Sequence, residues 1–136
     1  MDGEPLLPHT VGLPVLIIED DKFLRDLLVQ KLKKEGFFTI EAVNGEEGII
    51  VAKKEHPRLI LLDLILPGMD GFGVLRVLKE DSSTTSIPII VLSNLGQKED
   101  KDRCMQLGAE DFMVKAHFTP GEIIAAIKSV LKKKYF

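Results

Sequence analysis

The chain has 136 residues, enough for one domain that buries roughly two-thirds of its unfolded surface. Apolar residues make up 45% and charged residues 29%, and a net charge of −3 argues against a polyanion binder. A single cysteine, Cys104, excludes an internal disulfide and suits a reducing cytoplasm; no apolar run reaches the roughly 18 residues of a bilayer span, and no basic-then-apolar leader opens the chain.

In chain order, residues 1–13 hold Gly3, Pro5, Pro8 and Gly12 without periodicity and read as a flexible arm ahead of a domain over 14–136. Val15-Leu16-Ile17-Ile18, Leu59-Ile60-Leu61-Leu62 and Ile89-Ile90-Val91-Leu92 are continuous apolar runs, the pattern of parallel strands buried on both faces. Phe37 to Ala42 and Asp111 to Val114 are weaker strand candidates. Between them lie amphipathic stretches. Phe23, Leu24, Leu27, Leu28 and Leu32 share one helical face, opposite Arg25, Asp26, Lys31 and Lys33, and Gly36 ends that helix. Asn44 with Glu47 predicts the start of a second helix, ending near His56-Pro57. Asp70-Gly71 opens a third, with Phe72, Leu75 and Leu78 inward. Residues 97–107 form a fourth with a poor apolar face, on which Cys104 is a small packing residue. Thr119-Pro120-Gly121-Glu122 opens a fifth, carrying Ile123, Ile124, Ile127, Val130 and Leu131 inward; Lys132-Lys133-Lys134 is its solvated end. Five β-α units require right-handed crossovers and a parallel sheet covered on both faces, with ligands at the carboxyl ends of the strands.

Polar residues fall at those ends. The first strand runs into Glu19-Asp20-Asp21, the third into Asp63, the fourth into Ser93-Asn94 and the fifth into Lys115. Taken singly, an acid after a strand is as readily a helix cap as a ligand. Together they make a crevice with clear chemistry. Two carboxylates about 4 Å apart repel by on the order of 4 kcal/mol at an effective dielectric near 20, so a cation is needed. Oxygen ligands with no histidine suit Mg²⁺ rather than zinc. Lys115 supplies a fixed charge for an anion and Ser93 a hydroxyl. A metal, a lysine, a hydroxyl and a further carboxylate favour phosphoryl transfer, with Asp63 as the nucleophile. His9, His56 and His117 lie off this cluster and read as surface or loop residues.

At these residues the chain resembles the receiver domain of bacterial two-component response regulators, of the CheY-like kind. The resemblance runs from Pro14 to about Lys133 and is carried by VLIIEDD, LLDLILPGMDGF, IIVLSN and GAEDFMVK; the stretch from Asp63 to Gly71 is highly specific. It implies a flavodoxin-like, doubly wound (βα)5 fold with a five-stranded parallel sheet of order 2-1-3-4-5. It implies that Asp63 accepts phosphate from a histidine kinase or phosphotransfer protein, and that Mg²⁺ (or Mn²⁺) is bound by Asp20, Asp63 and the Ile65 backbone carbonyl, with Glu19 acting mostly through water. Ser93 and Lys115 would bond the phosphate, and Phe112 would turn inward as Ser93 moves. The output would be a downstream protein or domain read through the fourth helix, fifth strand and fifth helix, a surface that also allows a homodimer. The resemblance implies no substrate turnover beyond this phosphoryl chemistry, no nucleic-acid or membrane contact, and a cytoplasmic location.

Three departures stand out. Phe112 has no hydroxyl where many relatives have Tyr. Ala116 replaces the usual proline after the lysine, and a cis bond before a non-proline residue costs about 2.5–4 kcal/mol. Ile65 and Asn94 occupy positions that tune dephosphorylation, and an apolar Ile65 predicts a long-lived phosphoryl state. Two other readings compete. A haloacid-dehalogenase-type phosphotransferase would need a second Asp where Ile65 stands. A phosphorylation-free pseudo-receiver would lack one of the acid pair, Asp63 or Lys115.

Overall fold

Strands without polar alternation are stable only where both sheet faces are covered, and the computed structural model, which describes residues 11–136, places the three apolar runs in that position. Its elements are β1 (Pro14–Ile18), α1 (Lys22–Lys34), β2 (Phe38–Ala42), α2 (Gly45–Glu55), β3 (Leu59–Leu62), α3 (Gly71–Glu80), β4 (Ile89–Ser93), α4 (Lys98–Gln106), β5 (Asp111–Val114), a 3₁₀ turn at Lys115–His117 and α5 (Pro120–Tyr135). The strands form one five-stranded sheet in the order β2-β1-β3-β4-β5, all neighbours parallel. This is the doubly wound fold expected. Residues 1–10 of the expected arm lie outside the described residues. Next to them, Gly12 N–H donates to Gly36 O at 2.7 Å and Leu13 O accepts from Phe38 N at 2.9 Å.

Alternate residues of each central strand feed two cores. Leu16, Ile18, Ile60, Leu62, Ile89 and Val91 point to the side holding α3 residues Val74, Leu75 and Leu78. Val15, Ile17, Leu59, Leu61, Ile90 and Leu92 point to the side of α1 and α5, against Leu28, Leu32, Ile123 and Ile127. All twelve strand residues are essentially free of solvent.

The helix starts follow the capping logic. Asp21, Asn44, Asp70 and Thr119 each accept a backbone N–H three residues on. Thr119 and Glu122 complete a capping box, with Pro120 at the first helical position. His56 closes α2 in the left-handed conformation, φ 47°.

One face differs from the periodicity. Phe23 stands 80% exposed, while Val29 joins Leu28 and Leu32 inside. Phe23 stands in the first turn of α1, just past the carboxyl end of β1, and belongs to neither core. The peptide between Lys115 and Ala116 is trans, since no cis bond occurs among the described residues.

Candidate functional site

The connection from β1 leads outward to β2, and the next returns across β1 to β3. Strand order therefore reverses between β1 and β3, the place where open sheets of this class bind ligands. Glu19 and Asp20 follow β1, and Asp63 follows β3. One carboxylate oxygen from each of Glu19, Asp20 and Asp63 lies within 4.8 Å of the others; Glu19 and Asp63 are buried and Asp20 is exposed. Asp21, the third acid of the run, serves as the α1 cap, its Oδ1 accepting from Leu24 N at 3.2 Å.

Lys115 reaches into this group from the end of β5. Its Nζ is 2.9 Å from both Glu19 Oε1 and Asp63 Oδ2. Asp63 Oδ1 accepts from Ile65 N at 3.2 Å, so each oxygen of the Asp63 carboxylate has a donor. Burial pushes the Glu19 carboxyl above its ordinary range and the Asp63 charge pushes the same way, against the Lys115 and Asp21 hydrogen bonds. Burial works against the Lys115 ammonium, but its bonds to Glu19 and Asp63 outweigh that and hold its pKa above the usual lysine value. Like charges are thus crowded, and one ammonium offsets them only in part.

The crevice above these groups is also lined by Ile65 and Asn94. Ile65 is 56% exposed. Ser93 ends β4 fully buried, with its Oγ accepting from Leu95 N at 3.3 Å, and it does not line the crevice. Phe112 pairs with Val91 across β4 and β5 and already lies inside the core, 9% exposed. His56 closes α2 and His117 ends the 3₁₀ turn after β5, and neither belongs to the acidic group; His9 lies outside the described residues.

The turn after β3 is held by residues to which the periodicity gave no role. Gly71 N–H donates to Leu64 O at 2.8 Å. A Cβ on Gly71 would sit 2.4 Å from both Asp63 O and Leu64 Cα, so only glycine lets α3 start this close to the Asp63 backbone. Glu46 on α2 accepts from Met69 N at 3.3 Å. Arg25, expected on the outer face of α1, is folded inward; its Nη1 donates to Glu19 O at 2.8 Å and its Nε to Glu41 Oε1 at 3.1 Å. Spacing along one helix does not reveal such partners, because Glu41 and Met69 come from other elements.

The response regulator receiver domain model matches residues 15–128. The chain belongs to that family. It is 40% identical over 119 residues to a probable transcriptional regulator, ycf27, of Porphyridium aerugineum, covering 88% of this chain and 48% of that protein. It is 37% identical over 123 residues to the phosphate regulon transcriptional regulatory protein PhoB of Pseudomonas aeruginosa, covering 90% of this chain and 53% of that protein. The receiver domain thus spans about half the length of these relatives. Among solved structures, a chain of the CheX–CheY–BeF3–Mg²⁺ complex of Borrelia burgdorferi superposes with TM-score 0.81 at 30% identity, covering 88% of this chain and 90% of that one. The protein is a receiver domain of the two-component response regulators, with the CheY-like fold. No helix among the described residues is long and apolar enough to cross a membrane.

Proposed function

We propose that this receiver domain is a phosphoacceptor switch whose phosphorylation site is Asp63. The observation that carries the reading is the buried Asp63 carboxylate, bonded at 2.9 Å by Lys115 and grouped with Glu19 and Asp20. Three crowded oxygen donors without a histidine suit a hard cation such as Mg²⁺ (or Mn²⁺). Asp20, Asp63 and the Ile65 carbonyl would hold it, with Glu19 acting through water. When bound, the cation offsets the charge that gathers around a transferring phosphoryl group.

The chain's own residues do the rest. An Asp63 oxygen forms the new P–O bond as the P–N bond of a kinase phosphohistidine breaks, and the electron pair of that bond returns to the histidine nitrogen. Lys115 stays beside Asp63 and pairs with a phosphoryl oxygen. Ser93 turns its hydroxyl from the Leu95 amide toward another. Phe112, without a hydroxyl, responds through packing alone. The domain turns over no external substrate; its output is a changed α4-β5-α5 surface read by a downstream protein or an attached domain, or by a second copy. Its upstream partner is a histidine kinase or phosphotransfer protein. The protein works in the cytoplasm, and this domain itself contacts neither nucleic acid nor membrane. The exposed Ile65 side chain has no group to orient a hydrolytic water, which makes the phosphoryl state long-lived.

Incubation with acetyl phosphate and Mg²⁺, read by intact mass, tests this. A phosphate-sized gain is expected in the native chain, and none in Asp63→Ala or with a chelator. No gain under any condition would leave a pure interaction module. Loss of the label within seconds would overturn the long lifetime.

A further inference from the structure

Glu19 is fixed through all of its polar atoms. Its N–H donates to Ala42 O at 3.0 Å. Its Oε2 accepts from Asp21 N at 3.1 Å and its Oε1 meets Lys115 at 2.9 Å. Its carbonyl accepts from Arg25 Nη1 at 2.8 Å. Asp20, the next residue, is the reverse case: exposed, with a carboxylate bonded to no other described residue. The direction of the Asp20 side chain is therefore set by its backbone, and first by the peptide plane that joins it to Glu19. The oxygen of that plane is the one Arg25 holds.

Arg25 is itself well held. Its side chain is only 11% exposed, and its Nε is 3.1 Å from Glu41 Oε1 on β2. Its backbone N–H donates to Asp21 O at 2.9 Å, in the first turn of α1. One planar guanidinium thus bridges the helix, the edge strand and the acidic turn. Such a fork is stiff, and its charged donor makes a stronger bond to a carbonyl than a neutral one would.

We infer that Arg25 is a positioning residue for cation binding: it clamps the Glu19–Asp20 peptide so that the Asp20 carboxylate faces those of Glu19 and Asp63. This rests on the reading of the three acids as a Mg²⁺ site. Two roles for Arg25 predict opposite signs. As a bare positive charge next to three acids it opposes a cation, and its removal would tighten Mg²⁺ binding. As a clamp it pre-orients a ligand, and its removal weakens binding.

The test is calorimetric titration of the full chain with Mg²⁺ alone, on the native protein, Arg25→Ala, Arg25→Lys and Asp20→Asn, with thermal midpoints measured without metal. The expected result for Arg25→Ala is a Kd raised on the order of tenfold, the usual scale for losing a group that orients a metal ligand. Arg25→Lys keeps the charge but not the fork, and its Kd should rise as well, by less. An Arg25→Ala Kd that is unchanged or lower, with Asp20→Asn still impaired, would overturn the clamp and leave the metal site standing. A lowered midpoint with an unchanged Kd would do the same, by making Arg25 a plain brace. If Arg25→Ala does not fold, an unchanged Kd in Arg25→Lys decides against the proposal. No Mg²⁺ binding by the native chain would remove the metal reading, and the clamp with it.

Discussion

The two helices that flank β5 are attached to it very differently. α5 packs on the Met113 side and buries Ile123, Ile124, Ile127, Val130 and Leu131. α4 packs on the Phe112 side and buries Cys104 alone. α5 begins with a complete capping box, whereas Gln97 at the start of α4 makes no side-chain cap bond. A further hold on α4 is Arg103, whose guanidinium lies 4.0 Å from the Phe72 ring centroid on α3. At an exposed site such a contact contributes about 0.5–1 kcal/mol. One side of β5 is therefore a fixed wall and the other a loosely held cover. Elements with few buried apolar contacts open locally at low free energy, and those are the ones that move in switches.

The largest expected effect lies on the fixed side. Ile127 is completely buried between α5 and the sheet. Ile127→Ala should cost about 2–5 kcal/mol in a denaturant melt, since both transfer energy and a residual cavity count against it. The loss should be global, with the same midpoint by every probe. A change under 1 kcal/mol, or a transition confined to α5, would mean that this helix is no better anchored than α4.

The contrast between the two helices was legible in the chain, because it is a matter of apolar spacing. All five inward residues of α5 follow a 3.6-residue period, and residues 97–107 plainly lack such a face. The three central strands were legible for a related reason: unbroken apolar runs suit only doubly covered strands. β2 was less so, since an edge strand carries a mixed pattern, and Phe38 there is 58% exposed. Periodicity failed where a side chain's surroundings come from another element. Phe23 fits the α1 stripe but joins neither core and stands exposed. Arg25 fits the polar stripe yet bends back to Glu19 and Glu41. At the site, strand-end placement named Glu19, Asp20, Asp63 and Lys115, and the fold brings these four together. It did not separate Asp20 from Asp21, because a capping carboxylate and an uncommitted one are the same chemical group until the helix start is fixed.

A smaller effect is expected at the buried residue of α4, Cys104. Burial pushes the Cys104 thiol up to about 11 from an ordinary 9.0, with the Asp100 charge adding to the rise and Arg103 opposing it. A folded-state pKa above the unfolded one means that the thiol's contribution is complete below pH 9 and is lost as pH climbs toward 11. Native protein at pH 8 should therefore resist iodoacetamide, and labelling should report the opening of α4 rather than thiol acidity. Cys104→Ser should cost about 1 kcal/mol, the low end for a buried hydroxyl, because a helical serine can bond the carbonyl four residues back. Labelling of the native state as fast as the unfolded chain would show α4 to be open most of the time.

The smallest effect tests whether the looseness of α4 begins at its missing cap. Gln97 has the extended backbone of a cap, φ −80° and ψ 150°, but a side chain too long to fold onto its own helix end. Glu99 and Asp100 already place negative charge in the first turn, so a neutral cap is the better choice than another acid. Gln97→Ser should add about 0.5–1 kcal/mol. That gain should appear as amide exchange slowed roughly two- to fivefold within α4. Exchange in α5 should not change, because its own box is complete. Equal slowing in both helices would show that they open together, and the fixed and loose sides of β5 would then be one cooperative unit. Unchanged exchange in α4 would place its weakness in the shortage of buried side chains rather than in the cap.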